Sequence, residues 1–249
     1  MLYFSLAQGE VISIPNPNTG FFYPKDDTQT IYFQNENSKA VLIFLPGGEG
    51  SFGTSPDKPH LERFFMLTPI AKGSTDIKMD FVFMDSPYIL SPMNTKSNLG
   101  IRSTKDHLDR IKSVIKFYSQ KTNKPVWLIG HSNGTYSLSS FLNQLSENQK
   151  LIGGAIFSSG RSETSVSGKF NIPILIIHHK NDPCPYTTYS SAQSLHETLV
   201  QSNNDKTEFV TITSGFNSGE ACFAGSSHHM FSGSYEDYNN SIINFIKSR

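Results

Sequence analysis

Ser132 stands inside Gly130-His131-Ser132-Asn133-Gly134, and its surroundings give that pentapeptide a chemical meaning. Val126, Trp127, Leu128 and Ile129 form the short apolar run of a strand buried on both faces. Leu138, Phe141, Leu142 and Leu145 follow at helical spacing. Strand, G-x-S-x-G, helix is the context of a nucleophile elbow. The turn forces the serine into a strained backbone conformation, and side chains at the flanking glycine positions would clash. A serine held there projects its oxygen above the sheet edge at a helix N-terminus. Backbone N–H groups and the helix dipole favour developing negative charge at that point. The chemistry this suits is nucleophilic attack on a carbonyl.

A serine nucleophile needs a base, and the base needs a carboxylate to fix its tautomer and steady the imidazolium. With an elbow the expected chain order is serine, acid, histidine. Asp182, after the apolar run Ile174 to Ile177, is the candidate acid. Its rival Asp85 also follows a strand, Met79 to Met84, but precedes the serine. The base is His228 or His229, which are adjacent, so that only one can face Ser132. Oxyanion donors are expected from the residue after the nucleophile, Asn133, and from a glycine loop. Pro46-Gly47-Gly48-Glu49-Gly50-Ser51-Phe52-Gly53 follows the apolar run Ala40 to Leu45, making Gly48 the first candidate and Glu49 the next. In letters Gly48-x-Gly50-x-x-Gly53 also matches a dinucleotide fingerprint. A nucleotide site needs a helix opening directly after the glycines, and here Ser55, Pro56 and Pro59 intervene.

The elements that must position these groups alternate between strand and helix, which implies a mostly parallel sheet covered on both faces. In such sheets reactive loops gather at the carboxyl ends of the strands. Tyr3 to Phe4, Val11 to Ile14 and Thr30 to Phe33 read as an antiparallel lead-in. A helix is expected from Ser103, with Asp106 three residues on, a stripe of Leu108, Ile111, Ile115 and Tyr118, and Pro125 as its stop. Gly154 to Phe157 and Glu208 to Ile212 are further strands. Ala192, Leu195 and Leu199 mark a helix, and Ser234 is expected to cap a last one with the stripe Tyr238, Ile242, Phe245 and Ile246. The stretch from Ser158 to Phe170 is short and polar, leaving no room for an inserted lid domain. All of residues 1–249 read as one domain.

Composition excludes several partners. The chain of 249 residues has a formal net charge of zero and only 17% charged residues, so no basic face argues for nucleic acid. No run approaches a membrane span. His178 and His179 point to opposite faces of a strand end and read as packing or loop-supporting residues rather than as a metal pair. His60, His107 and His196 carry no pattern and read as surface residues, as do Arg102 and Arg161, whose other use would be to anchor an anionic substrate group. Neither metal nor organic cofactor is called for. Cys184 lies two residues after the candidate acid and Cys222 shortly before the candidate base, in loops that must meet. A Cys184–Cys222 disulfide is therefore expected, which favours a periplasmic or secreted protein; a cytoplasmic one stays open. Residues 1–7 fit either a first strand or the remnant of a trimmed signal peptide, Ser5-Leu6-Ala7 resembling a cleavage site.

The elbow, acid loop and histidine loop together resemble the α/β-hydrolase superfamily over essentially the whole chain. Within it the pattern is similar to small lidless bacterial α/β hydrolases of undefined substrate. Gly47-Gly48-Glu49-Gly50 matches their Gly-Gly-acid-Gly loop, Arg102 and His107 their Arg-x-x-x-x-His helix start, and residues 125 to 130 their elbow strand. Asp182-Pro183-Cys184, Cys222 and His229-Met230-Phe231 occupy the places of an Asp-x-Cys loop and of a later Cys followed by His-Gly-Phe, with Met230 departing from glycine. That alignment favours His229 over His228. The resemblance implies an α/β-hydrolase fold without a separate lid domain, and a triad of Ser132, Asp182 and His229. The implied reaction is acyl transfer to water from a small-molecule, ester-like substrate. Peptidase, thioesterase and dienelactone-type chemistry share the same frame, and a non-catalytic binding protein is the reading from another class.

Overall fold

The computed structural model describes residues 9–18, 25–57, 65–91, 99–144, 151–202, 204–222 and 227–249. The expected strand Tyr3 to Phe4, the leader remnant at 1–7, His60 and Leu145 lie outside the described residues.

Eight strands form one sheet: β1 (Glu10–Ile14), β2 (Thr28–Phe33), β3 (Val41–Leu45), β4 (Asp80–Asp85), β5 (Val126–His131), β6 (Gly154–Ser158), β7 (Ile174–His179) and β8 (Thr207–Ile212). Their order is β1-β2-β4-β3-β5-β6-β7-β8. β2 pairs antiparallel with β1 and β4, while every later pairing is parallel. The antiparallel lead-in and the mostly parallel body are those expected from the alternation of strand and helix signals. The five described helices are α1 (Thr68–Ala71), α2 (Lys105–Thr122), α3 (Gly134–Asn143), α4 (Tyr189–Gln201) and α5 (Tyr235–Lys247).

The strand period of two sorts the apolar residues into two cores. Val41, Ile43 and Leu45 face a layer built with α2, α3 and α4, while Leu42 and Phe44 face one built with α1 and α5. Both faces of β5 are thus covered, which is why its first four residues, Val126 to Ile129, are all apolar and the whole strand is buried.

Two helix starts differ from expectation. Thr104, not Ser103, is the N-cap of α2 and accepts from the His107 N–H, because Ser103 belongs to a preceding 3₁₀ turn. Asp106 is therefore released from capping and bonds the Arg110, Tyr88 and Asn18 side chains. Ser234 does occupy the N-cap of α5, but its hydroxyl donates back to the Phe231 carbonyl instead of capping. The stop of α2 is Asn123 in the left-handed conformation (φ 54°), two residues ahead of Pro125.

The β6–β7 connection, residues 159–173, is fully described and contains no helix or strand. The carboxyl edge of the sheet carries no inserted domain at that point.

Candidate active site

Ser132 follows β5 directly and has φ 53°, in the left-handed region that a serine occupies only under constraint. The constraint is mutual crowding of β5, α3 and the end of β3. A Cβ on Gly130 would meet the Gly134 carbonyl oxygen at 2.6 Å, and one on Gly134 would lie 2.0 Å from the Leu45 carbonyl oxygen. The Ser132 N–H donates to the Ser158 carbonyl (3.0 Å), tying the turn to the end of β6. Asn133 begins α3, the helix that follows the serine.

The glycine loop after β3 lies against Ser132: a Cβ on Gly47 would be 2.8 Å from Ser132 Cβ and 3.4 Å from its Oγ. Gly48 (φ 55°) and Gly50 (φ 71°) let this loop turn tightly. Its carbonyls are tied down from below and from the side. Arg102 Nη1 donates to Pro46 O (3.1 Å), Arg102 Nη2 to Gly48 O (2.9 Å) and Asn133 Nδ2 to Gly48 O (3.0 Å). Among the described residues the N–H groups of Gly48, Glu49 and Asn133 have no acceptor. They are the donors available to a bound anion. No helix opens through residue 57, so the glycines lack the helix N-terminus that a dinucleotide needs.

Asp85 belongs to this loop and not to the base. It accepts from the N–H groups of Phe52 (2.8 Å) and Thr54 (2.7 Å), so its carboxylate is spent on folding the chain after the glycines. A polar cleft of about 540 Å³ opens nearby, between Lys25, Asp27, Gln29, Ser51, Thr54 and Asp85. Its walls come from β1, β2, the end of β4 and the glycine loop, and Ser132 does not line it.

Asp182 and His229 come together at the other side of the elbow. His229 Nδ1 donates to Asp182 Oδ2 at 2.9 Å, and both side chains are fully buried. Three further donors surround the carboxylate: the Cys184 N–H to Oδ1 (2.9 Å), Thr187 Oγ1 to Oδ2 (3.0 Å) and His178 Nε2, 3.3 Å from Oδ2. Burial alone would push the Asp182 pKa up. The hydrogen bonds from His178 and His229, the charge of His229 and the Cys184 N–H outweigh it, and hold the group well below the usual carboxylate range. Thr187 Oγ1 also lies 3.1 Å from His229 Nδ1, so one hydroxyl touches both members of the pair. His229 is anchored by its backbone too, through Ser159 Oγ donating to its carbonyl (2.9 Å). Among the described residues no hydrogen bond joins the Ser132 hydroxyl to His229. Their neighbourhood is set through His131, whose ring centroid is 5.0 Å from that of His229.

His228 turns elsewhere. It stacks on His179 with centroids 3.8 Å apart and bonds the Asn181 carbonyl. His178 and His179 support loops, as expected from their alternation across the strand. The first reaches the Thr187 carbonyl (2.9 Å) and Asp182, the second the Ser214 carbonyl (2.9 Å). The Cys184–Cys222 disulfide is formed, with Cα atoms 4.7 Å apart, and joins the acid loop to the segment before the histidine. Among the described residues no group of three or more His, Cys, Asp or Glu is arranged to hold a metal ion, and no helix is long and apolar enough to cross a membrane.

Three residues taken for surface groups are buried. His107 is 3% exposed and its Nε2 meets Ser137 Oγ at 3.0 Å; burial, with Arg102 nearby, lowers its pKa to about 3. Arg161 pairs with both carboxylate oxygens of Glu163 and stacks on Tyr186, 4.9 Å from the ring centre. Arg102 is 1% exposed and bonds only protein oxygens, so it cannot receive an anionic substrate group. Amphipathic periodicity gave no warning of these: Arg102 and His107 bond side chains and carbonyls distant in sequence, and Arg161 is covered by Tyr186.

No protein-family model matches the sequence, and no curated protein does. Solved structures match over the full length. One is a serine hydrolase without a lid from Xanthomonas campestris, 11% identical, with a TM-score of 0.64 over 97% of this chain and 94% of that one. An esterase of Pyrococcus furiosus is 11% identical, with a TM-score of 0.60 over 97% and 93%. A dienelactone hydrolase from Anabaena variabilis is 13% identical, with a TM-score of 0.57 over 98% of each chain. The chain therefore has the lidless α/β-hydrolase fold.

Proposed function

We propose that this protein is a serine hydrolase that cleaves small or soluble carboxylic ester-like substrates through Ser132, His229 and Asp182. One observation carries the reading. A serine held at positive φ between two indispensable glycines shares the sheet edge with a buried histidine whose Nδ1 donates to a buried carboxylate at 2.9 Å. The fold shared with an esterase and a dienelactone hydrolase is consistent with it.

In the reaction His229 Nε2 takes the hydroxyl proton as Ser132 Oγ attacks the carbonyl carbon, and the C=O electron pair moves onto oxygen. Asp182, held ionised by its donors, keeps Nδ1 protonated and stabilises the imidazolium. The oxyanion sits against the N–H groups of Asn133 and of the Gly48–Glu49 turn. His229 then returns its proton to the departing alcohol, leaving an acyl-enzyme. Water, deprotonated by the same imidazole, releases the acid. His131 takes no part in proton transfer. Burial, with the charge of His229, holds its pKa well below the usual histidine value, and it stays neutral between Ser158 Oγ and Met230 Sδ.

The open sheet edge suits short or soluble acyl groups over lipid interfaces, and the disulfide suits an exported protein. The test is labelling by a fluorophosphonate probe, followed by a panel of soluble esters, thioesters and peptides. Labelling of wild type that is abolished in Ser132→Ala and strongly reduced in His229→Ala is expected. Absence of labelling in folded wild type would reject the reading and favour a binding protein on this fold.

A further inference from the structure

Arg102 is a buried cation whose hydrogen-bond partners among the described residues are all neutral oxygens. Its side chain enters from the 3₁₀ turn before α2, is 1% exposed, and passes beneath the glycine loop. Nε donates to Ser91 Oγ (2.8 Å), Nη1 to Pro46 O (3.1 Å) and Ser137 Oγ (3.0 Å), and Nη2 to Gly48 O (2.9 Å). Among the described residues no carboxylate lies within ion-pair distance of the guanidinium. Burial, with the neighbouring positive charge of Arg161, draws its pKa down to about 9, so it remains a cation at neutral pH. Enclosing a charge without an ionic partner is costly even when neutral acceptors take most of its N–H groups. A fold that needed only to tie these loops could have used a neutral donor.

We propose that Arg102 is a positioning residue for the reaction: its fork fixes the Pro46 and Gly48 carbonyls, and its charge lies behind the pocket where the oxyanion forms. The proposal rests on the serine-hydrolase reading. Gly48 O is held jointly by Arg102 and by the side chain of Asn133, whose own N–H is the oxyanion donor after the nucleophile. Because a peptide's C=O and N–H point in opposite directions, pinning Gly48 O toward Arg102 aims the Glu49 N–H the other way. Through Ser137, which also meets His107, the same guanidinium reaches α3, the helix that opens behind Ser132. The described residues supply no counter-charge to the guanidinium, and one appears on the carbonyl oxygen during attack. Such a cation favours the transition state over the bound ester.

The experiment compares wild type, Ser132→Ala, Arg102→Met, Arg102→Gln and Arg102→Lys by thermal melting, by kcat and KM for p-nitrophenyl acetate, and by inhibition with phenylboronic acid. That inhibitor forms a tetrahedral anion on a reactive serine. Arg102→Met should fold and lose roughly 10- to 100-fold in kcat, with a comparable loss of boronate affinity and KM within about threefold. Arg102→Lys should recover part of both losses. If the methionine variant does not fold, Arg102→Gln, still a donor but neutral, should show the same pattern at smaller size. A folded neutral variant whose kcat and boronate affinity match wild type would overturn the proposal, as would a lysine variant no better than the methionine one. Wild type whose boronate inhibition does not depend on Ser132 would reject the hydrolase reading itself. Inhibition that needs Ser132 and ignores Arg102 rejects this proposal alone.

Discussion

The two loops that flank Ser132 are fixed by opposite means. The glycine loop after β3 lies between two central strands, β4 and β5, and rests on buried side chains. One guanidinium, one amide and the backbone N–H groups of Gly50, Ser86 and Leu90 hold its carbonyls. The acid and histidine loops belong to the far side of the sheet, next to the edge strand β8, and residues 213–220 between them are exposed. Little apolar surface is available there to offset chain entropy. A covalent link between Cys184 and Cys222 supplies the constraint instead. Closing that loop contributes roughly 3–4 kcal/mol in the chain-entropy model. Where the core surrounds a loop, hydrogen bonds set its geometry; where solvent does, the unfolded alternatives must be restricted.

That contrast can be broken in graded steps. The largest effect on chemistry should come from Asp182→Asn, which removes the charge facing His229 and lowers kcat by roughly 10⁴-fold with the fold retained. Asp85→Asn should instead act through stability, since that carboxylate bonds the Phe52 and Thr54 N–H groups. If Asp85→Asn has the larger kinetic effect, the acid has been misassigned.

Next comes Gly47→Ala. Its methyl would meet Ser132 Cβ at 2.8 Å and the His131 carbonyl at 3.0 Å, so the glycine loop must move off the nucleophile. A fall of roughly 10- to 100-fold in kcat is expected, by displacement of the oxyanion donors. Removing the disulfide with Cys184→Ser and Cys222→Ser should do the reverse. The melting temperature should drop by about 6–15 °C, with a smaller kinetic loss at 25 °C. Equal kinetic damage from both changes would erase the distinction between the loops.

Thr187→Val is milder. It deletes one donor to Asp182 and leaves the His229–Asp182 bond, so a loss of several-fold in kcat is expected, well short of the Asp182→Asn effect.

The smallest effect is a pH dependence of stability. His107, lowered to about 3, and His131, lowered by burial, are neutral in the folded protein and must gain protons when it unfolds. Their folded pKa values lie below the unfolded value of about 6.5, so the unfolded chain binds more protons and stability is lost as pH falls from there. Asp182, also depressed, adds to the loss in the same direction below about pH 4. The urea midpoint should fall between pH 7 and pH 4. His107→Gln should flatten that slope, whereas removing the disulfide should shift the midpoint at every pH and leave the slope unchanged.

Most of this frame was legible without coordinates, since its rules are local. All eight of the described strands announced themselves by apolar runs or alternation, and Ala192, Leu195 and Leu199 do form the buried face of α4. Chain order and loop position singled out Asp182 and the pair His228 and His229, between which only the resemblance favoured His229, and the two cysteines were legible through their nearness to these loops. What escaped were the partners of polar side chains. Thr187 and His178 surround the acid, yet neither sits in a motif, and Arg102 and His107 resemble surface residues on any reading of periodicity.

The sequence by itself determined the strand–turn–helix at Ser132, the order of the candidate residues and the alternation that makes a mostly parallel sheet. Each depends on conformational limits within a few residues: glycine at a crowded turn, period two in a strand, spacing of three and four in a helix. Only the tertiary structure decided which histidine meets Asp182, that Asp85 folds a loop instead of orienting a base, and that Arg102 lies beneath the glycine loop. Those outcomes depend on hydrogen bonds between residues tens of positions apart. A buried donor takes whichever acceptor the packed chain brings within about 3 Å of it, and local sequence carries no record of that choice.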